Sequence, residues 1–314
     1  MKKGIIIISV ILTLAAAASA AENSDSDKEK IKVTPLVQFD YLSLESQSIQ
    51  SAGAGIVLNN EDVMFVGIYT RHSFEEQLLY DYPDVYHTID TLLDGKNGRH
   101  QYIGIFKSES DRPVSGGLYT YQAAAVYGYE FFKGKSLSLV FGGGLALGDF
   151  GIERKNGDPW PVIPVPLMRI TYSSDWIDTK FECITSPNIS FTIGPESRIR
   201  FKGDFRMDQA RDIRDLIFDL SIDYRFFNSD SESGDFAGIS AGFKNDNYGA
   251  FYLGEEDGEE SIEVHYYSLY GVLDISILKI TGGYAFKGRD LYREEYKVDS
   301  GDGYFISVQG LYQF

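Results

Sequence analysis

Long runs of strictly alternating side chains constrain this chain more than any other feature. Tyr119, Tyr121, Ala123, Ala125, Tyr127, Tyr129 and Phe131 alternate with Thr120, Gln122, Ala124, Val126, Gly128 and Glu130. Leu216, Phe218, Leu220, Ile222, Tyr224 and Phe226 alternate with Ile217, Asp219, Ser221, Asp223 and Arg225. Similar runs cover 136–147 and 278–287. A strand turns successive side chains to opposite faces, so each run has one apolar and one mixed face. The runs are about 10 to 13 residues long, the length of a tilted membrane-crossing strand. Strands of soluble domains are typically about 5 to 6 residues long.

The start of the chain fits export. Met1-Lys2-Lys3 precedes an uncharged run from Ile5 to Ala18, and Ala18-Ser19-Ala20 is an A-x-A cleavage site. Residues 1–20 therefore read as a secretory signal peptide, too short and wrongly flanked for a retained membrane helix. Residues 21–32 are polar and read as a periplasmic tail. The remainder, 33–314, forms the folded body. Without Lys2 and Lys3 the balance is 27 Lys+Arg against 46 Asp+Glu, or −19. Such acidity excludes a nucleic-acid partner, which needs a basic face. After the signal peptide no apolar run is long enough to cross a bilayer as a helix, so a membrane location demands a closed barrel with no unpaired sheet edge. The lone cysteine, Cys183, has no partner for an internal disulfide and shares a face with Ile177, Thr179 and Phe181.

Turn chemistry divides the runs. Asn59-Asn60-Glu61-Asp62, Gly95-Lys96-Asn97-Gly98, Phe132-Lys133-Gly134-Lys135, Ser173-Ser174-Asp175 and Asn245-Asp246-Asn247 suit tight hairpins. Longer connections fall near 74–84, 108–116, 150–162, 227–235, 255–260 and 288–302. Sixteen strand candidates result: 33–46, 49–58, 62–73, 84–94, 100–108, 116–131, 135–149, 163–174, 176–185, 188–206, 214–227, 235–244, 247–255, 261–272, 274–287 and 302–314. The predicted fold is an all-β, antiparallel up-and-down transmembrane barrel of about 14–16 strands, with short turns inside and long loops outside.

The last strand alternates as well. Tyr304, Ile306, Val308, Gly310, Tyr312 and Phe314 form one face, and the chain stops on an aromatic residue. This ending resembles the insertion signal that Gram-negative barrel-assembly machinery reads. Together with the alternating runs, and with Ile163-Pro164-Val165-Pro166-Leu167 leading to Trp176, it gives the body a resemblance to bacterial outer-membrane β-barrel proteins. The chain also looks like uncharacterised barrel families of Bacteroidetes-type and spirochaete-type bacteria. The resemblance implies residence in the outer membrane. It also implies outer-membrane lipids and lipopolysaccharide, the barrel-assembly machinery and periplasmic chaperones as partners. It carries over no activity and no functional residues.

Function is expected on the faces opposite the apolar ones. Arg198, Arg200, Lys202, Asp204 and Arg206 form one polar row. Asp178, Lys180 and Glu182 form the row before it, and Asp219, Asp223 and Arg225 the row after. In a barrel these rows are neighbours that line the lumen with opposed charges. Two readings stay open: a pore lining that filters solutes by charge, or a neutralised polar core that fills a narrow barrel. Porin-like passage of small solutes leads, followed by a closed surface barrel with a structural or adhesive role, and then by a lipid-modifying enzyme.

No cofactor, metal or catalytic residue is expected. His72, His87, His100 and His265 are scattered without metal-ligand spacing. No G-x-S-x-G elbow is present, and His265 with Glu263 is the one pairing that invites an enzymatic reading. The acidic stretches 255–260 and 299–303 lack the ordered spacing of a calcium loop and read as solvated loops.

Overall fold

The computed structural model describes residues 31–75, 84–113, 120–148, 160–184, 186–207, 216–226, 237–253, 259–275, 277–292 and 296–311. Signal-peptide residues 1–20, tail residues 21–30 and the terminal Tyr312 and Phe314 lie outside them. Lys32, assigned above to the tail, opens the first strand.

Sixteen strands close into one barrel: β1 (Lys32–Leu44), β2 (Ser48–Asn59), β3 (Val63–Glu75), β4 (Val85–Asn97), β5 (His100–Ser110), β6 (Tyr121–Lys133), β7 (Leu137–Gly148), β8 (Val162–Ser173), β9 (Ile177–Cys183), β10 (Pro187–Ile193), β11 (Ile199–Met207), β12 (Leu216–Arg225), β13 (Ala237–Leu253), β14 (Glu259–Ile275), β15 (Leu278–Tyr292) and β16 (Tyr296–Leu311). Each strand pairs antiparallel with its sequence neighbours, and β16 closes on β1 from Leu36↔Leu311 to Leu44↔Gly303. Closure leaves no edge, so every strand has backbone partners on both sides.

The sequence and the structure both give sixteen strands, but two differences offset each other. The candidate 188–206 is two strands, β10 and β11, broken where Gly194 adopts φ 68° and Pro195 supplies no N–H. The candidates 235–244 and 247–255 are one strand, β13, which runs straight through Asn245-Asp246-Asn247. Asn245 turns nothing here. Its Oδ1 accepts from the Phe218 N–H at 2.6 Å and its Nδ2 donates to the Leu216 carbonyl at 2.7 Å. Backbone pairing of β12 with β13 stops at Asp219↔Lys244, so the side chain takes over where the ladder ends. The described parts of the polar stretch 288–302 are likewise strand, with 293–295 outside the described residues. β15 runs on to Tyr292 and β16 starts at Tyr296, but bulges around Gly288, with Lys287 at φ 54° and Gly301 at φ 75°, break the period-2 pattern.

Connections at 60–62, 98–99, 134–136, 174–176, 194–198 and 276–277 gather at one rim, where β1 begins and β16 ends. The opposite, long-loop rim is where β3 and β4, β5 and β6, β7 and β8, and β11 and β12 meet their connections, of which 76–83, 114–119, 149–159 and 208–215 lie outside the described residues. The stretch 227–235, expected among the outer loops, lies outside the described residues, while β12 ends and β13 begins at the short-turn rim.

Apolar side chains cover the outside. Val37, Leu145, Ile199, Ile222 and Leu269 are all more than half exposed. Two aromatic rows bound this band. Near the short-turn rim lie Tyr102, Tyr127, Phe131, Phe132, Tyr172, Trp176, Tyr224 and Phe226, all exposed or partly exposed. Nearer the long-loop rim a row of rings crosses six adjacent strands. Phe205–Phe218, Phe218–Phe243, Phe243–Tyr267 and Tyr267–Phe286 have centroids 6.5, 5.2, 6.1 and 6.0 Å apart, and Phe191 extends the row at 6.3 Å. The ten residue steps from Tyr121 to Phe131 on β6 span roughly 33 Å of strand, or about 25 Å in height at a tilt of roughly 40°, which matches a barrel's lipid-facing band. Tyr304 and Ile306 are exposed on this outer face and Phe305 is buried on the inner one. A closed antiparallel barrel with this exterior is the architecture of a Gram-negative outer-membrane barrel.

Candidate functional site

The inner wall is not uniformly polar. In β5 to β8, Ile103, Ala124, Val126, Val140, Ala146, Val165 and Leu167 pack into one buried cluster. Gly128 leaves the room this packing uses, because a Cβ on it would lie 2.5 Å from Leu167 Cδ2 and 2.8 Å from Val140 Cγ1. β4 and β8, four strands apart around the barrel, come within side-chain reach of one another. Arg169 of β8 donates to Asp94 Oδ2 and to Gln101 Oε1, each at 3.0 Å, and pairs closely with Glu182. Lys180 also reaches Glu182, at 3.2 Å. Nearby, the buried Glu130 accepts from Ser138 Oγ at 2.7 Å and from Lys96 Nζ at 3.5 Å.

On β9 to β12 the charged rows read from the sequence sit opposite the exposed apolar side chains. Asp178 bonds Ser173, and Lys180 and Glu182 join the Arg169 group. Arg200 and Lys202 both pair with Asp223, at 3.1 and 2.5 Å. Asp219 accepts a hydrogen bond from the Tyr270 hydroxyl and stands opposite Asp204 in register. Arg225 continues the β12 row, and its backbone N–H donates to the Arg198 carbonyl at 2.9 Å. Arg198 itself is in the β10–β11 turn and exposed, so it is not part of the β11 row.

Arg206 differs from the rest of its row. It is exposed, and it lines a cavity of about 650 Å³ in the long-loop half of the lumen. This cavity also takes Asp40 from β1, Asp90 from β4, Lys107 and Glu109 from β5, and Lys244 and Asp246 from β13. Lys107 and Glu109 are 2.9 Å apart, and Lys244 and Asp246 are 2.7 Å apart. Lys244 also lies 5.2 Å from the Phe305 ring centre and 5.9 Å from that of Tyr270. His72, on the same wall, has Nδ1 2.7 Å from Ser51 Oγ and Nε2 2.9 Å from Thr88 Oγ1, so both ring nitrogens are engaged. Ser51 is 1% exposed, which keeps that pair from meeting a substrate.

The mouth above the cavity is divided. β5 and β13, eight strands apart around the barrel, make a parallel backbone bridge at Ser110↔Phe251. On the β1–β4 and β14–β16 side the interior is filled by Leu42, Leu44, Ile49, Phe74, Tyr86, Val264, Tyr266, Ala285 and Phe305. Tyr248 of β13 packs against them and meets His72 of β3 edge-on at 5.9 Å.

Sequence reasoning missed Arg169, Asp94, Glu130 and, apart from Arg206, the charges around the cavity. Arg169 was marked only by being the single charge in the run Val162–Ser173, and Asp40 by the same isolation in Val33–Leu44. His265 Nε2 and Glu263 Oε2 are 2.7 Å apart, within hydrogen-bond distance, and Glu263 lines the cavity. Among the described residues no group of three or more His, Cys, Asp or Glu is placed to hold a metal ion. The stretch 299–303 belongs to β16, and residues 254–258 lie outside the described residues.

No protein-family model matches the sequence, and neither does any curated protein. Solved structures similar to the barrel include Acinetobacter baumannii OccAB3 (9% identity, 90% of this chain and 99% of that one, TM-score 0.41). Pseudomonas aeruginosa OpdK with vanillate (8%, 90% and 99%, 0.39) and P. aeruginosa OccK8, also called OprE (9%, 90% and 98%, 0.37), are similar in the same way.

Proposed function

We propose that this chain is an outer-membrane channel through which small polar solutes diffuse passively, biased by the charges on its inner wall. One observation carries the reading: a cavity of about 650 Å³ inside the barrel wall, lined by Asp40, Asp90, Lys107, Glu109, Arg206, Lys244 and Asp246. Gathering so many charges on the inner wall is costly unless water or a polar solute shares the space. Fixed charges along such a path set which ions and solutes pass. The rows Asp178, Lys180, Glu182, Arg200, Lys202, Asp204, Asp219, Asp223 and Arg225 would continue that lining toward the short-turn rim. No catalytic role is assigned to any of these groups.

The apolar exterior and its aromatic rows support residence among outer-membrane lipids and lipopolysaccharide. Delivery there would involve periplasmic chaperones and the barrel-assembly machinery, with Tyr304, Ile306, Val308, Gly310, Tyr312 and Phe314 as the insertion signal.

Pure protein refolded into planar bilayers should give discrete conductance steps, and neutralising Asp40 and Asp246 to Asn should lower cation preference in a salt gradient. Absence of steps would sink the channel reading. It would favour the second one, a closed surface barrel, for which the β5–β13 bridge and the apolar filling beside it speak. Fractionation with the inner membrane would remove the location.

A further inference from the structure

We propose that the lumen is reached from the long-loop side through one half of the mouth only, over the low wall of β9 and β10. The inference rests on the channel reading above and adds its route. Three features combine.

The Ser110↔Phe251 bridge joins strands on opposite sides of the barrel, so it splits the mouth in two. The half bounded by β14–β16 and β1–β4 is filled at this level by the apolar cluster of Leu44, Ile49, Phe74, Tyr86 and Tyr266, with which Tyr248 of β13 packs. A hydrated solute passing there would shed its water against side chains that offer few hydrogen bonds in return.

The other half is built differently. β9 and β10 have seven residues each, against seventeen in β13 and in β14. A difference of ten residues is roughly 33 Å of strand. Part of it stands above the neighbouring wall, because β13 from Asn245 to Leu253 continues past its last pairing with β12. The cavity reaches this low rim: Ser186, in the β9–β10 connection, and Arg206, one residue from the end of β11, both line it. Arg206 is exposed while lining the cavity, as a residue at a portal would be. A solute arriving there meets a guanidinium first and then the carboxylates and amines beneath the bridge.

The chain's single cysteine makes the test clean. In a Cys183→Ser background, Ser186→Cys is compared with Glu45→Cys, which sits in the β1–β2 connection on the filled half and is exposed. A membrane-impermeant sulfonatoethyl thiosulfonate is added from the long-loop side of single channels in a planar bilayer, and labelling is verified by mass. Labelled Ser186→Cys should lose conductance, and labelled Glu45→Cys should keep it. Arg206→Cys provides a second position on the same lip if Ser186→Cys folds poorly, and it should behave alike. Full conductance after complete labelling at Ser186 and Arg206, no labelling at either, or a block from Glu45 would overturn the portal. Loss of all channel steps in the unlabelled background would instead remove the channel reading, and the portal with it.

Discussion

Replacing Arg169 with Met tests whether one side chain ties two walls of the lumen together. Arg169 is 14% exposed, and its partners Asp94 and Glu182 are 27% and 22% exposed, so solvent screens these pairs only in part. Met keeps most of the volume and removes the charge and three hydrogen bonds. Asp94 and Glu182 would then face a shared space with only Lys180 to balance them. Removing one partner of a largely buried charge group costs about 3–5 kcal/mol, mostly through the carboxylates left without compensation. The value is measured by reversible urea unfolding of the barrel in lipid vesicles, followed by tryptophan fluorescence. The same reasoning makes Arg169→Met/Asp94→Asn/Glu182→Gln more stable than Arg169→Met alone, since the stranded charges are gone. A loss below about 1 kcal/mol, the size of an exposed pair, would refute the view that Arg169 holds β4 to β8. So would a triple variant no better than the single one.

Two further substitutions probe the wall itself. Gly128→Val should destabilise the barrel by about 1–3 kcal/mol through overpacking against Leu167 and Val140, and a double-mutant cycle with Leu167→Ala should show the two costs to be strongly non-additive. Ile222→Arg places a charge on the outer face between Phe218 and Phe226 and should cost about 2–4 kcal/mol in lipid vesicles. A cost near zero there would show that this face does not meet hydrocarbon.

The outer face was legible from the sequence to the level of single residues. Tyr304 and Ile306 point outward, as the alternation requires, and Phe305 points inward. The strand boundaries were legible only where local chemistry agreed with the pattern. Asn245-Asp246-Asn247 has the composition of a turn, yet Asn245 spends its amide on the end of β12, a partner 27 residues away. At 288–302 the bulges shift the period and make a strand resemble a loop. At Gly194-Pro195 the turn residues meant what they usually mean.

The candidate site divides in the same way. The rows on β9, β11 and β12 could be found because they are periodic within each strand, and pairing between sequence neighbours then follows from up-and-down order. Arg169 with Asp94 is 75 residues apart, Tyr248 meets His72 across the lumen, and Ser110 pairs with a strand on the opposite wall. None of these leaves a periodic trace, since each depends on how sharply the sheet curves and where it is pinched.

The sequence by itself determined a closed barrel with a lipid-facing exterior, because period-2 alternation and the need to pair every backbone group in hydrocarbon act strand by strand. Tertiary structure alone decided what the interior became: part apolar filling, part ion-paired strut, part charged cavity under a bridge. Contacts across a lumen depend on the radius and flattening of the whole ring, a property of sixteen strands together that no one strand encodes.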